Sequence, residues 1–325
     1  MPWDERIGRR LKLKDLQTLM TVAETGGMGR AANRLNYSQP AVSQAIATLE
    51  RTLGKRLLER GRKGIEFTPY GIAVLKGGAA VFDDLRKAVA DIDFLSDPTA
   101  GDVRIGCTEP VSASIVSVIV NRLARRYPHI KFQITVREPP ELYRELSARN
   151  IDVVIAQVNR PINEDLLQSE VLQHEPVVIV AGARHPLASK RRLKLIDLVD
   201  EPWALPLPES FVSSLLADAF RRDGLNPPRA TVITHSAFLR ILMVADGHFI
   251  TAAAPAMLKV AGMQTAIKAL TVALPTNQRP VRIVTLKNRA LSPVVQNFIE
   301  QVRDFTNQTQ ERAVARRNNQ GSGPV

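Results

Sequence analysis

The sequence predicts a two-part chain: an N-terminal winged helix-turn-helix running on into a long helix, then an α/β region. Three observations carry this. Between Met28 and Leu49 a short helix, a tight turn and a second, amphipathic helix follow one another. A basic hairpin and a Thr-Pro helix start come directly after, over residues 57–69. Beyond residue 101, short apolar strand patterns alternate with stretches of helical period, the spacing that gives βαβ units and a parallel sheet.

The elements follow in order. Residues 13–25 read as a helix with Leu16, Leu19, Met20 and Ala23 on one side, ended by Gly26-Gly27. Arg30-Ala-Ala-Asn-Arg-Leu35 forms the first helix of the pair and Asn36-Tyr37 its turn. Ser38 can accept a hydrogen bond as N-cap, and Pro40 fits a first helical turn, where its missing N–H costs little. Val42, Ala45, Ile46 and Leu49 follow the i, i+3, i+4, i+7 rule and face inward. Gln39, Ser43, Gln44 and Ala47 then face outward; they are short and neutral, and suit base edges in a major groove. Strands over 57–60 and 65–68 flank Gly61-Arg62-Lys63-Gly64, a wing whose glycines are expected at positive φ.

From Thr68-Pro69 to Leu95 the chain keeps helix period. Leu75, Phe82, Leu85, Val89 and Ile92 form an a/d seam, which Gly77-Gly78 should weaken or bend. At the standard rise such a helix extends roughly 40 Å. Its seam needs a cover; a second copy of the chain is the natural one, and the chain's own C-terminal domain is the alternative. Residues 96–101 read as a linker. Strands are expected at 103–107, 131–137 and 151–156, with helices at 112–126 and 140–149. A second set has strands at 177–181, 203–205, 231–234 and 249–252; a strand at 281–286 and a helix at 293–305 close the chain. Residues 307–325 are polar and basic, and are expected to be disordered.

The net charge of +12 on 325 residues points to a polyanionic partner. Its distribution is more telling: Arg51, Lys55, Arg56, Arg60, Arg62 and Lys63 crowd behind the second helix against Glu59 alone. One cysteine, Cys107, excludes an intramolecular disulfide and a cysteine-rich zinc site. The charged N-terminus carries no signal-peptide pattern, and no apolar run is long enough to span a bilayer, so a cytoplasmic location is expected. No G-x-S-x-G, P-loop or H-E-x-x-H occurs, and His174, His185 and His235 lie far apart, so no enzyme, cofactor or metal is expected. His129, after Tyr-Pro, reads as solvent-facing. Ser236 beside His235 is the wrong geometry for a Ser–His relay. Cys107 precedes a helix start that would lower its pKa, which allows a redox role; a small residue filling a strand end is the ordinary reading.

The segment also resembles a named family. Ser38-Gln-Pro-Ala-Val-Ser-Gln44, the preceding Ala31-Ala32, Leu53-Gly54-Lys-Arg-Leu57-Leu-Glu-Arg60 and Phe67-Thr-Pro-Tyr-Gly71 are similar to the N-terminal domain of LysR-type transcriptional regulators. Arg126-Tyr127-Pro128, Ile151-Asp-Val-Val-Ile155, His185-Pro-Leu-Ala188, Leu195-Ile-Asp-Leu198 and Pro202-Trp203 resemble landmarks of the family's effector domain, which has the fold of periplasmic binding proteins. The resemblance covers about residues 11–305. Two departures stand out. The glycine usual three residues before Asp152 is Arg149, which puts the left-handed position on Asn150, and a later Gly-x-Gly has Phe249 in second place.

The domains expected are a winged helix-turn-helix (11–68), a linker and dimerisation helix (69–96), and a two-lobed α/β effector domain (101–306). In that last part, lobe I takes about 101–165 and 270–306, and lobe II about 166–269. Gln39, Pro40, Ser43 and Gln44 are expected to read bases in double-stranded DNA; Arg34, Ser38, Arg60, Arg62 and Lys63 are expected to hold phosphates. The family often has arginine where Gln44 stands, and glutamine pairs best with adenine. Ligands of open α/β sheets bind beyond the carboxyl ends of strands. Thr108, Glu109, Pro110, Glu138, Gln157, Ser210, Phe211, His235, Ser236 and Phe249 are therefore the effector candidates; an anionic or polar-headed small molecule would suit, and each residue has an ordinary reading as a cap or turn. The resemblance implies a homo-oligomer, a dimer through the linker helix and a tetramer on DNA. The competing readings are an effector-independent architectural DNA-binding protein and a free solute-binding protein.

Overall fold

The computed structural model describes residues 10–61, 64–158, 162–259, 262–274 and 278–320. The chain divides into two compact units, Met1–Val89 and Ala90–Val325.

The first unit is built on three helices, α1 (Leu13–Thr25), α2 (Met28–Leu35) and α3 (Gln39–Leu53). Gly26, Asn36 and Gly54 take left-handed backbone and end each helix with an amide-to-carbonyl cap. Leu19, Ile46, Leu49 and Leu57 form one buried cluster, and Val22, Ala31, Ala32 and Val42 another. The alanines matter because α2 must approach α1 and α3 closely. Strands β1 (Leu58–Gly61) and β2 (Gly64–Phe67) pair antiparallel, with Gly61 opposite Gly64. Gly61 has no positive φ; it lies in the strand ladder and not in the turn, contrary to the expectation from composition.

Helix α4 (Pro69–Ser96) starts where Thr68 Oγ1 accepts from the Gly71 amide at 3.1 Å and donates to the Arg56 carbonyl at 2.8 Å. It runs through Gly77-Gly78 without interruption. A Cβ on Gly78 would sit 3.0 Å from Leu16 and 3.2 Å from Met20, so this glycine serves close helix packing and does not break the helix. Leu75 joins the core of the first unit, which removes it from the seam. Val81, Leu85, Val89, Ile92 and Leu95 remain exposed on the chain.

The second unit holds two five-stranded sheets. The first contains β3 (Ala100–Cys107), β4 (His129–Val136), β5 (Val153–Gln157), β6 (Leu167–Pro176) and β12 (Gln278–Leu286), in the order β4-β3-β5-β12-β6. The second contains β7 (Val178–Gly182), β8 (Trp203–Leu205), β9 (Ala230–Ile233), β10 (Ile250–Ala253) and β11 (Ile267–Ala269), in the order β11-β7-β10-β8-β9. Both are mixed: β3 runs parallel to β4 and β5, while β12 is antiparallel to β5 and β6. The parallel pairing expected from the βαβ spacing is present among β3, β4 and β5 and among β8, β9 and β10, while β6, β7, β11 and β12 pair antiparallel. Helices α5 (Ser117–Arg126), α6 (Pro139–Ser147) and α9 (Pro293–Gln320) accompany the first sheet, and α7 (Phe211–Arg222) and α8 (Ala237–Ala245) the second. Each sheet has an apolar cluster on both faces, the arrangement that buried, near-continuously apolar strands require.

Three boundaries move. Strand β6 lies in the first sheet, and Leu270 and Leu274 lie in the core of the second lobe. The lobe crossings therefore fall after Pro176 and beyond Leu274, because hydrogen bonding to β12 outweighs the weak apolar signal of residues 167–176. Residues 307–320 continue α9 and are not disordered; residues 321–325 lie outside the described residues. The 96–101 segment is pinned: Asp97 accepts from the Thr99 amide at 2.9 Å and hydroxyl at 2.5 Å, and its Oδ2 lies 3.0 Å from His129 Nδ1. The Thr99 hydroxyl first, then His129, holds the Asp97 carboxyl down at about 2. The left-handed residue before Asp152 is Arg149 itself (φ 62°), not Asn150.

Candidate functional site

Two surfaces gather the candidate residues. On α3, Ser38 caps the helix by accepting from the Ala41 amide at 3.3 Å. Val42, Ile46 and Leu49 are buried, and Gln39, Pro40, Ser43, Gln44 and Ala47 form the exposed face. Gln44 Nε2 reaches Thr48 Oγ1 at 3.5 Å, and Thr48 Oγ1 donates to the Gln44 carbonyl at 2.8 Å, which steadies the side chain one turn away. Arg34 pairs with Glu24 at 3.1 Å on the surface, an exposed pair worth at most about 1 kcal/mol, and a phosphate can displace it. Arg60 lies in β1; Arg62 and Lys63 lie outside the described residues.

One residue that sequence reasoning missed joins wing to helix. Glu50 Oε1 accepts from the Leu57 amide at 2.7 Å and the Leu58 amide at 3.2 Å. A lone glutamate on an otherwise basic, apolar helix end was the available signal.

The second surface is the cleft between the two sheets. Thr108 directly follows β3 and is buried, and its hydroxyl donates to Gln157 Oε1 at 3.1 Å. Gln157 ends β5, and its Nε2 donates to Glu175 Oε2 at 2.7 Å. Burial pushes the Glu175 carboxyl up, against the opposing pull of Gln157 and Arg279. Glu109 does something no sequence pattern implied. From the first lobe its carboxylate accepts from Ala237 N at 2.6 Å and Phe238 N at 3.1 Å, and from Ser236 Oγ at 3.2 Å, at the N-terminus of α8. An internal carboxylate thus sits where helix amides and dipole favour an anion.

The remaining candidates divide. Ser210 and Ser236 are N-caps of α7 and α8, accepting from Ser213 N at 3.2 Å and Leu239 N at 3.1 Å. Phe211 lies under the guanidinium of Arg279, 5.5 Å from ring centre. Glu138 precedes α6, is exposed, and acts electrostatically on Arg240 and Arg279. Pro110 follows Glu109 and is half-buried. His235 is exposed and contributes its carbonyl to Arg240. Phe249 packs with Val180, Ala237 and Ile241 in the core beside α8, its ring edge-on to His248 at 4.8 Å.

Arg240 and Arg279 were missed, and both are buried. A signal for Arg240 existed: Ala237, Ile241 and Val244 place it on the inward face of α8, where an arginine is out of place. Arg240 Nη1 donates to the Thr234 and His235 carbonyls at 2.8 and 3.3 Å. Burial draws its guanidinium down to about 10 and that of Arg279 down as well.

Cys107 is fully buried, and desolvation pushes its thiol up to about 12, opposite to the lowering expected from a following helix start. The helical turn behind it, Glu109–Val111, leads into a π-helical turn at Ser112–Val116 before α5. At about pH 8, native protein should leave Cys107 unlabelled by iodoacetamide, and urea-unfolded protein should be labelled fully, read by mass spectrometry. Equal labelling rates in both states would refute this. Among the described residues no group of His, Cys, Asp and Glu could hold a metal ion, and no helix is long and apolar enough to cross a membrane.

Comparison with known proteins bears on both surfaces. Residues 13–72 match the model of the bacterial regulatory helix-turn-helix protein, lysR family, and residues 96–307 that of the LysR substrate binding domain. The HTH-type transcriptional regulator GbpR of Azospirillum brasilense is 27% identical over 94% of this chain and 90% of its own. Full-length OxyR from Pseudomonas aeruginosa superposes with a TM-score of 0.65 at 21% identity, covering 91% of this chain and 94% of its own. Full-length CbnR in complex with its target DNA gives 0.64 at 19%, covering 90% and 99%. At those identities the two structures show the fold alone.

Proposed function

The chain belongs to the LysR family of bacterial helix-turn-helix transcriptional regulators, and from that premise we propose that it reads DNA through α3 under control of a small molecule bound in the cleft. Gln39, Pro40, Ser43 and Gln44 contact base edges, while Arg34, Ser38 and the wing residues Arg60, Arg62 and Lys63 hold phosphates and fix register. Two copies pair along the exposed apolar face of α4, and two dimers assemble on a bipartite site. Binding in the cleft closes the lobes and changes how subunits present their α3 helices. The protein works in the cytoplasm.

The observation that carries this is the chemistry of the cleft. Thr108, Gln157, Arg240 and Arg279 are all buried there, between two separately packed lobes. A domain kept merely to oligomerise has no use for buried polar groups at that place, since each costs free energy unless satisfied. The test is footprinting on selected target DNA with and without a panel of small metabolites. A metabolite that alters the footprint is the expected result. A footprint that no compound alters, with no thermal shift from any, would favour the architectural reading.

A second prediction concerns Gln44. Site selection should return an A·T pair at the position it reads, and Gln44→Arg should move the preference to guanine. One good bidentate contact discriminates by about 1–3 kcal/mol, roughly ten- to a hundredfold in site frequency. Unchanged selected sites would remove Gln44 from the reading set.

A further inference from the structure

Two arginines of the cleft are buried with their hydrogen bonding incomplete. Arg240 and Arg279 are 5% and 7% exposed, and the Nε of each has no partner. Arg240 spends Nη1 on the Thr234 and His235 carbonyls, which fixes the guanidinium while leaving Nε open. Arg279 starts β12 opposite Glu175 and lies over Phe211. The two cations are close enough that Arg279 weakens the charged form of Arg240, and Glu138 is near both. Glu109 steadies the charge of Arg240 and Glu175 that of Arg279, but the hydrogen bonds of these carboxylates go elsewhere. Glu175 accepts from Gln157, and Glu109 is spent on the α8 amides and Ser236.

A buried guanidinium N–H without an acceptor costs free energy that a ligand oxygen would recover. The Nε edge of a guanidinium is planar and matches a carboxylate, and it is stiffer and less hydrated than an ammonium. A carboxylate offers two coplanar oxygens to such edges, where a neutral carbonyl offers one. We infer that the effector is a small organic carboxylate held by the Nε edges of Arg240 and Arg279, with its body beside Phe211 and its other polar groups toward Thr108 and Gln157. This rests on the reading of the cleft as the effector site. Glu109 shows that the second lobe already accepts one carboxylate; the arginines are the place left for another.

The test uses the full chain. Thermal melts are recorded with acetate, succinate, benzoate and phthalate, each beside its primary amide at equal concentration, on wild type, Arg240→Gln and Arg279→Gln. At least one carboxylate should raise the melting temperature of wild type while its amide does not. Its half-saturating concentration should rise at least tenfold in either variant. Because Arg279→Gln also takes the cation facing Glu175, the far-UV spectrum and a cooperative melt of each variant without ligand are recorded first, so lost binding is told from lost folding. Amides that stabilise as well as carboxylates overturn the inference, as do carboxylates that all leave melting unchanged or act equally on Arg279→Gln. A neutral compound that alters the DNA footprint where no carboxylate does overturns the inference yet leaves the effector reading standing. A carboxylate that binds through Arg279 without altering the footprint supports a carboxylate site at the arginines and counts against its ligand being the effector.

Discussion

Replacing Asp152 by alanine should destabilise the second unit by about 3–5 kcal/mol, a large share of the roughly 5–15 kcal/mol that holds a domain folded. Asp152 is buried and anchors two arginines from distant parts of the chain. Its carboxylate accepts from Arg104 N at 2.9 Å, Nε at 3.2 Å and Nη2 at 2.5 Å, and from Arg289 Nη2 at 2.7 Å. Arg104 lies in β3, while Arg289 follows β12 and also donates to the Ile151 carbonyl at 2.8 Å. One side chain therefore joins three segments of the first lobe. The Arg289 side chain is 4% exposed, so truncation leaves it charged, buried and short of its carboxylate. Urea unfolding of the second unit, followed by circular dichroism, measures the loss. Asp152→Asn keeps the shape but not the charge and should fall between. A loss below about 1 kcal/mol for Asp152→Ala would mean that water reaches the arginines and that the cluster contributes little.

If the proposed α4 pairing holds, placing aspartate at both Val89 and Ile92 should turn the dimer into a monomer and weaken binding to a two-half-site DNA duplex by about a hundredfold or more. These side chains are 58% and 62% exposed, and Leu95 beyond them is 83% exposed, although all three lie on one helix of 28 residues. Apolar surface of that extent along one stripe is costly to leave in water. In the proposed dimer a second α4 covers it, and two linked reading heads would bind with a gain of about 10²–10⁴ over one. Carboxylates in the seam would have to be buried without partners. Sedimentation gives the mass, and gel shifts on a duplex selected with wild-type protein give the affinity. Neither position lies in the buried core, so the far-UV spectrum should be unchanged. A variant that sediments as wild type would mean that α4 is not the dimer contact.

Much of the first unit was legible because its rules are local. Period-3.6 spacing placed Val42, Ile46 and Leu49 inside and Gln39, Ser43 and Gln44 outside, and Ser38 and Thr68 marked two helix starts through their own caps. The cleft was legible in part. Strand ends pointed to Thr108 and Gln157, which the structure joins in one hydrogen-bonded chain to Glu175. Nothing in the residues near Glu109 says that it will cap a helix 127 or more positions away. Arg279 lies in a strand too polar to stand out, and its burial follows from strands crossing between lobes.

The sequence by itself determined the family, the order of elements in the first unit and the face that α3 turns outward. These depend on neighbours within a turn or two of helix or strand. The tertiary structure alone decided which strands cross between lobes, that Gly78 lets α1 approach α4, and that Cys107 is held as a thiol. It also decided that Arg240 and Arg279 are buried with their Nε groups lacking a hydrogen-bond partner. Each of those depends on desolvation and on contacts between residues far apart in the chain, and neither has a local period for the sequence to display.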